Sequence, residues 1–198
     1  APSQASGPVE VRGRTLLVNG QPFHVRAVAW NPVARGTSQS DGVDYAGFAA
    51  RDIALMKEAG FNAVRTYGLL DDRAVLDQLH AAGIRVINQA YGWGGAPASE
   101  VPGRIAPIQD HPAILMWMVG NEWNYNGIYN GLSFDEARER VAEVSRLLKQ
   151  ADPDHTVATS YGEMPDADTI AAEERNLANQ FAALQASLST LNAHKRAY

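Results

Sequence analysis

Five apolar runs recur along this chain, and a helix-sized segment follows each of the first four. The runs are 25–30 (VRAVAW), 61–68 (FNAVRTYG), 84–92 (IRVINQAYG), 113–120 (AILMWMVG) and 155–163 (HTVATSYGE). They are near-continuous in apolar and β-branched residues rather than alternating, which is the pattern of parallel strands buried on both faces. The segments between them carry helix punctuation. Residues 45–60 end in glycine. Residues 71–83 open on two aspartates, suited to the positive end of a helix dipole, and close on Gly83. Residues 102–112 form a short, interrupted helical piece. Residues 133–152 open on Ser133 and Glu136, the two members of a capping box. Strand-helix alternation of this kind predicts an α/β fold. The stretch after the first run, AWNPVARG, is not GxGxxG, so a dinucleotide-binding sheet loses its main support. A (β/α) barrel remains, and a barrel carries its working residues at the C-terminal ends of its strands.

The ends of the chain read differently. Residues 1–8 (APSQASGP) are small and polar and suit a flexible segment exposed after removal of a signal peptide, so a secreted or periplasmic protein is the expectation. Val9–Arg12 and Thr15–Val18 are short β-type pieces, followed by Asn19-Gly20, a pair suited to the positive φ angles of a type I′ turn. The chain therefore opens with a β-hairpin, and residues 23–30 serve as a further strand partner or as the entry to the fold. The tail, 171–198, reads as an amphipathic helix. Its Leu177, Phe181, Leu184, Leu188 and Leu191 form a short apolar seam, which packs on its own domain or on a second copy.

Composition narrows the function. A net charge of −5 argues against nucleic acid or an anionic membrane as partner, and no apolar stretch is long enough to span a bilayer. With no cysteine and five scattered histidines, neither a thiolate site nor a histidine metal site is expected. No cofactor is implied.

The strand ends are the informative part. In order they read Trp30-Asn31, Arg65-Thr66-Tyr67, Asn88 to Trp93, Asn121 to Tyr125, and Ser160 to Glu163. Three of the four tryptophans lie there, so the mouth of the sheet collects flat aromatic faces together with amides and a guanidinium. A saccharide asks for that combination: rings for the apolar face of a pyranose, amides and hydroxyls for its OH groups.

The stretches LLVNGQPFHVRAVAW, DIALMKEAGFNAVRTYG, AGIRVINQ and HPAILMWMVGNEW resemble the catalytic barrel of clan A glycoside hydrolases, most of all the barrel domain of glycoside hydrolase family 2. The resemblance covers about residues 9–170. It implies that Glu122 is the general acid/base, that Asn121 binds the sugar 2-hydroxyl, and that Arg65 helps to hold the nucleophilic carboxylate. Tyr67, Tyr91, Trp93 and Trp123 would then line an oligosaccharide or polysaccharide substrate. An acid of this kind needs a partly desolvated pocket, which the run ILMWMV and Trp123 are expected to supply.

The resemblance also defines what is missing. Retaining glycosidases use two carboxyl groups about 5–5.5 Å apart, and in the resembled clan the nucleophile follows strand 7. A whole barrel takes about 250 residues. Only five barrel strands are legible here, so the expected architecture is an incomplete (β/α) barrel that ends after strand 5. Truncation, a natural split or an altered reading frame would each give this sequence. Glu163 is the one other carboxylate at a strand end and a weak candidate for the second group, while Asp166 and Asp168 read as helix-start charges. Besides hydrolysis, three outcomes fit: a glucan transglycosylase, a carbohydrate-binding remnant, and a half-barrel that forms homodimers through its open edges or tail.

Overall fold

In the computed structural model the described residues are 8–162 and, in the tail, 171–172, 174–175, 178–179 and 181–187. The chain divides into two compact units, 1–162 and 163–198.

The first unit holds two sheets. β1 (Val9–Arg12), β2 (Thr15–Val18) and β3 (Gln21–Pro22) form a small antiparallel sheet. β4 (Ala27–Ala29), β5 (Ala63–Arg65), β6 (Arg85–Tyr91), β7 (Ile114–Val119) and β8 (Thr156–Ala158) form a five-stranded sheet in sequence order, parallel at every pairing. The partial α/β barrel read from the sequence is therefore present. The hairpin is extended. Asn19 and Gly20, both at positive φ, turn β2 into β3, so the opening element has three strands; Phe23 N–H still donates to Leu16 O of β2, and Arg26 O accepts from Asn62 and Ala63 as the chain enters β4.

Helices cover one face of the parallel sheet. α1 (Tyr45–Glu58) starts on Asp44, whose side chain accepts from Gly47 N–H. α2 (Arg73–Ala81) starts on Asp72, which accepts from Ala74 and Val75. The short α3 (Val101–Ile105) and α4 (Trp123–Asn126) precede α5 (Phe134–Ala151), where the Ser133/Glu136 capping box forms as the sequence predicts. α5 buries Ala137, Val141, Val144 and Leu148, one stripe at helical spacing, in the same core as Val64, Val86, Ile114 and Trp117. Each such fully buried aliphatic side chain contributes about 1.5–3 kcal/mol. The opposite face of the sheet is packed by the N-terminal sheet: Val9 and Val18 meet Ala63 and Leu115.

That packing also reaches the β8 edge. Val9 N–H donates to Asp154 O (2.8 Å) and Thr156 Oγ1 donates to Val9 O (2.8 Å), so β1 ties down the start of the last strand. Beneath β8 lies a buried polar cluster in which Asp152 Oδ2 accepts from Trp117 Nε1 (2.7 Å) and pairs with His155 Nδ1 (2.8 Å).

In the second unit the described tail residues are helical, with Phe181 and Leu184 exposed. Leu177, Leu188 and Leu191 of the predicted seam lie outside the described residues, as do Glu163, Asp166 and Asp168.

Candidate active site

The C-terminal ends of β5, β6 and β7 bring polar side chains to one mouth. Arg65, the last residue of β5, donates from Nη2 to Asn121 Oδ1 (2.5 Å), two positions past β7. Its guanidinium carbon lies 4.6 Å from the centre of the Tyr67 ring, a cation–π contact that fixes both groups. Arg65 Nε–H makes no hydrogen bond among the described residues. Asn121 is held at three atoms: Nδ2 donates to the Tyr129 hydroxyl (3.1 Å), and its backbone carbonyl accepts from Asn126 Nδ2 (2.6 Å).

Two adjoining depressions open over this framework. One, of about 390 Å³, is lined by Tyr67, Gln89, Trp93, Arg104 and Tyr129 among others. The other, of about 520 Å³, is lined by Gln39, Ser40, Tyr67, Gln89, Asn121 and Tyr129 with Gly92. Trp93 is 56% exposed, and its indole lies across Gly95, where a methyl group would collide with the ring. Tyr67 and Tyr129 present further aromatic faces.

Of the aromatic residues read as substrate-binding, Tyr91 lines the first depression from a largely buried position, whereas Trp123 lines neither. Tyr91 is buried; its hydroxyl donates to Ala96 O (2.8 Å) and accepts from Arg140 Nη1 of α5 (2.8 Å). Gln89 and Tyr91 both line the first depression, and the β6–β7 pairing is irregular between them. Trp123 is buried as well, stacked on Phe134 (5.6 Å between ring centres) and edge-on to Tyr161 (5.0 Å). Asn88, another strand-end amide, is buried and clamps the loop after β5 by accepting from Leu70 N–H and donating to Leu70 O.

Glu122 follows Asn121 in a left-handed conformation (φ 51°, ψ 34°), unusual for a residue with a side chain. Its backbone is fixed from both sides: its N–H donates to Ser160 O (3.0 Å), and its carbonyl accepts from Tyr125 and Asn126 to begin α4. Gly162 closes over it, and a Cβ there would lie 2.9 Å from Glu122 Cβ. Among the described residues no desolvated pocket forms around this acid. Glu122 is exposed and lines neither depression, because the apolar run ILMWMV lies within the sheet below it and Trp123 turns its ring away towards Phe134. Replacing Gly162 with alanine is expected to destabilise the first unit by about 1–3 kcal/mol through this contact. Gly68→Ala, with open space around it, is the neutral comparison, and urea unfolding of both variants is the check.

Against known families, residues 9–103 match the model described as glycosyl hydrolases family 2, TIM barrel domain. Residues 9–103 belong to that domain. The family 2 relatives extend the likeness beyond the matched segment. A β-galactosidase of Aeromonas hydrophila is 26% identical over 181 residues, which cover 83% of this chain. One of Vibrio cholerae is 30% identical over 130 residues, which cover 58% of it. The chain spans only 16% and 12%, respectively, of those relatives' own lengths. Among solved structures, the β-glucuronidase of Bifidobacterium dentium complexed with coumarin-3-O-glucuronide superposes with a TM-score of 0.62 at 21% identity, covering 80% of this chain and 27% of that one. The β-D-glucuronidase of Dictyoglomus thermophilum gives 0.58 at 22% identity, covering 79% and 29%. At those identities the likeness is one of fold alone, that of a partial (β/α) barrel.

Proposed function

We propose that this chain carries the acid/base half of a retaining glycosidase site that acts on O-glycosidic bonds of a β-linked oligo- or polysaccharide. The hydrogen bond from Arg65 to Asn121 carries the reading: it joins two strand ends and sets Glu122 beside an oriented amide at the mouth of a parallel sheet. Glu122 protonates the leaving oxygen, and its carboxylate later takes a proton from water or from an acceptor sugar; an acceptor sugar makes the reaction a transglycosylation. Asn121 reads a sugar hydroxyl, and Arg65 keeps Nε–H for a second carboxylate. The names of the similar proteins, β-galactosidase and β-glucuronidase, support a β-linked substrate.

The described residues that line the two depressions include no carboxylate, and Glu163 lies outside the described residues. The 198-residue polypeptide is therefore expected to bind saccharide and to hydrolyse it poorly. Isothermal titration with β-linked oligosaccharides tests the binding. Asn121→Ala should weaken it about 10-fold or more, since it removes a hydrogen bond and leaves Arg65 without its acceptor. Glu122→Gln should leave it within a few-fold. Binding untouched by Asn121→Ala would count against the site.

A further inference from the structure

Five residues past Glu122 the chain begins something costly. Gly127, Ile128 and Tyr129 all take positive φ (58°, 53° and 54°), and two of the three carry side chains that disfavour it. Such a run persists only where its surroundings over-determine it, and here they do. Any Cβ at Gly127 would collide with the Leu132 backbone. Ile128 is fully buried and its carbonyl accepts from Gly94 N–H (2.8 Å). Gly94 in turn lies so close that a Cβ would stand 3.0–3.3 Å from Leu132, Ile128 and Asn130. The loop after β7 is thus locked onto the loop after β6, and the lock aims one side chain outward. Tyr129 is 58% exposed and lines both depressions.

From this arrangement we infer that the Tyr129 hydroxyl is a saccharide-binding donor, placed at the end of a hydrogen-bonded chain that starts at Arg65. The inference rests on the glycosidase reading above. A phenol oxygen has one proton to give. Here the oxygen accepts from Asn121 Nδ2, and among the described residues none accepts its proton. The proton is therefore available to an oxygen of the ligand, a sugar hydroxyl or the glycosidic oxygen, at the boundary of the two depressions. The chain is also polarised. The Arg65 cation draws on Asn121 Oδ1, which strengthens its amide as a donor, and that amide strengthens the Tyr129 hydroxyl in turn. A ring that served only as a wall would need neither the hydroxyl nor the fixed loop.

The test is a double-mutant cycle in the 198-residue chain, with a β-linked tetrasaccharide titrated calorimetrically into wild type, Tyr129→Phe, Asn121→Ala and the double variant. Tyr129→Phe keeps the ring and should weaken binding about 10-fold, the loss of one hydrogen bond. The double variant should lose less than the product of the two single effects, because the groups act in series. Without sugar, the 15N resonances of the Asn121 side-chain amide should move in Tyr129→Phe, and the melting temperature should stay within a few degrees. Tight wild-type binding that Tyr129→Phe leaves unchanged overturns the inference alone, as does strict additivity. Absence of wild-type binding overturns the glycosidase reading, and the inference with it, even if the amide resonances still move.

Discussion

Asp152→Ala is expected to destabilise the first unit by about 3–5 kcal/mol, because it leaves several buried hydrogen-bonding groups without their shared partner. Asp152 joins three elements. Its Oδ2 holds Trp117 of β7 and His155 at the entry to β8, and its Oδ1 accepts from the backbone N–H groups of Asp154 and His155, which shape the turn out of α5. The carboxyl and both rings are buried. Native domains are stable by only about 5–15 kcal/mol, so this loss takes a large share of the total. The pH dependence has a definite sign. Burial pushes the Asp152 pKa up, but the hydrogen bonds from His155 and Trp117 and the charge of the His155 ring outweigh it and hold the group below its ordinary value. A depressed carboxyl stabilises the fold above its unfolded pKa of about 3.9, and that contribution is lost as pH falls through the folded value. The stability gap between wild type and Asp152→Asn in urea should accordingly be wide at pH 7 and narrow towards pH 3. A gap that does not change with pH would show that the carboxylate charge contributes nothing to the fold.

The fold was legible because its signals are local and redundant. Apolar runs of strand length, helices opening on Asp72 or on the Ser133/Glu136 box, and the Asn19-Gly20 turn each specify their own segment. That Arg65 and Asn121 share one mouth also followed, since Arg65 ends one parallel strand and Asn121 stands two residues past another; their direct hydrogen bond did not. What the sequence did not carry depends on long-range contacts and backbone irregularity. Tyr91 lines the mouth, but its hydroxyl is tied to Ala96 and to Arg140 of α5, and no residue type announces those partners. The left-handed turn at Glu122 sends Trp123 into the core and leaves the carboxyl exposed, a reversal that the string GNEW does not encode. Tyr129 was missed for the same reason. It lies in a polar loop between Glu122 and α5, and only the left-handed run at 127–129 brings its hydroxyl back to Asn121.

The second large effect concerns Glu122. General acid catalysis contributes about 10²–10⁴-fold, whereas whole enzymes reach at least about 10⁶. An acid with no nucleophile positioned among the described residues is therefore expected to fall short of ordinary turnover, and its exposure to water weakens it further. An added anionic nucleophile separates the two halves of the reaction. Azide attacks the anomeric carbon, the bond to the aryl oxygen breaks, and the Glu122 proton goes to that oxygen. The products are a glycosyl azide of inverted configuration and a phenol. A proton matters greatly for a poor leaving group and little for a good one, so Glu122→Gln should depress the azide reaction of a phenyl β-glycoside by about 10²–10⁴-fold and spare that of a dinitrophenyl one.

The central claim is that Glu122 is an acid set beside a sugar-reading amide, with no second carboxylate among the described residues that line the mouth. The most direct measurement of it is steady-state release of phenol from phenyl β-glycosides by the purified 198-residue chain, with and without azide. The account predicts turnover well below about 1 s⁻¹ in buffer, a rate that rises with azide, an α-glycosyl azide product, and loss of that rise in Glu122→Gln. Turnover above about 1 s⁻¹ without azide, abolished by Glu122→Gln, would show that a second carboxylate is in place; a rate that ignores both azide and Glu122 would contradict the acid role itself.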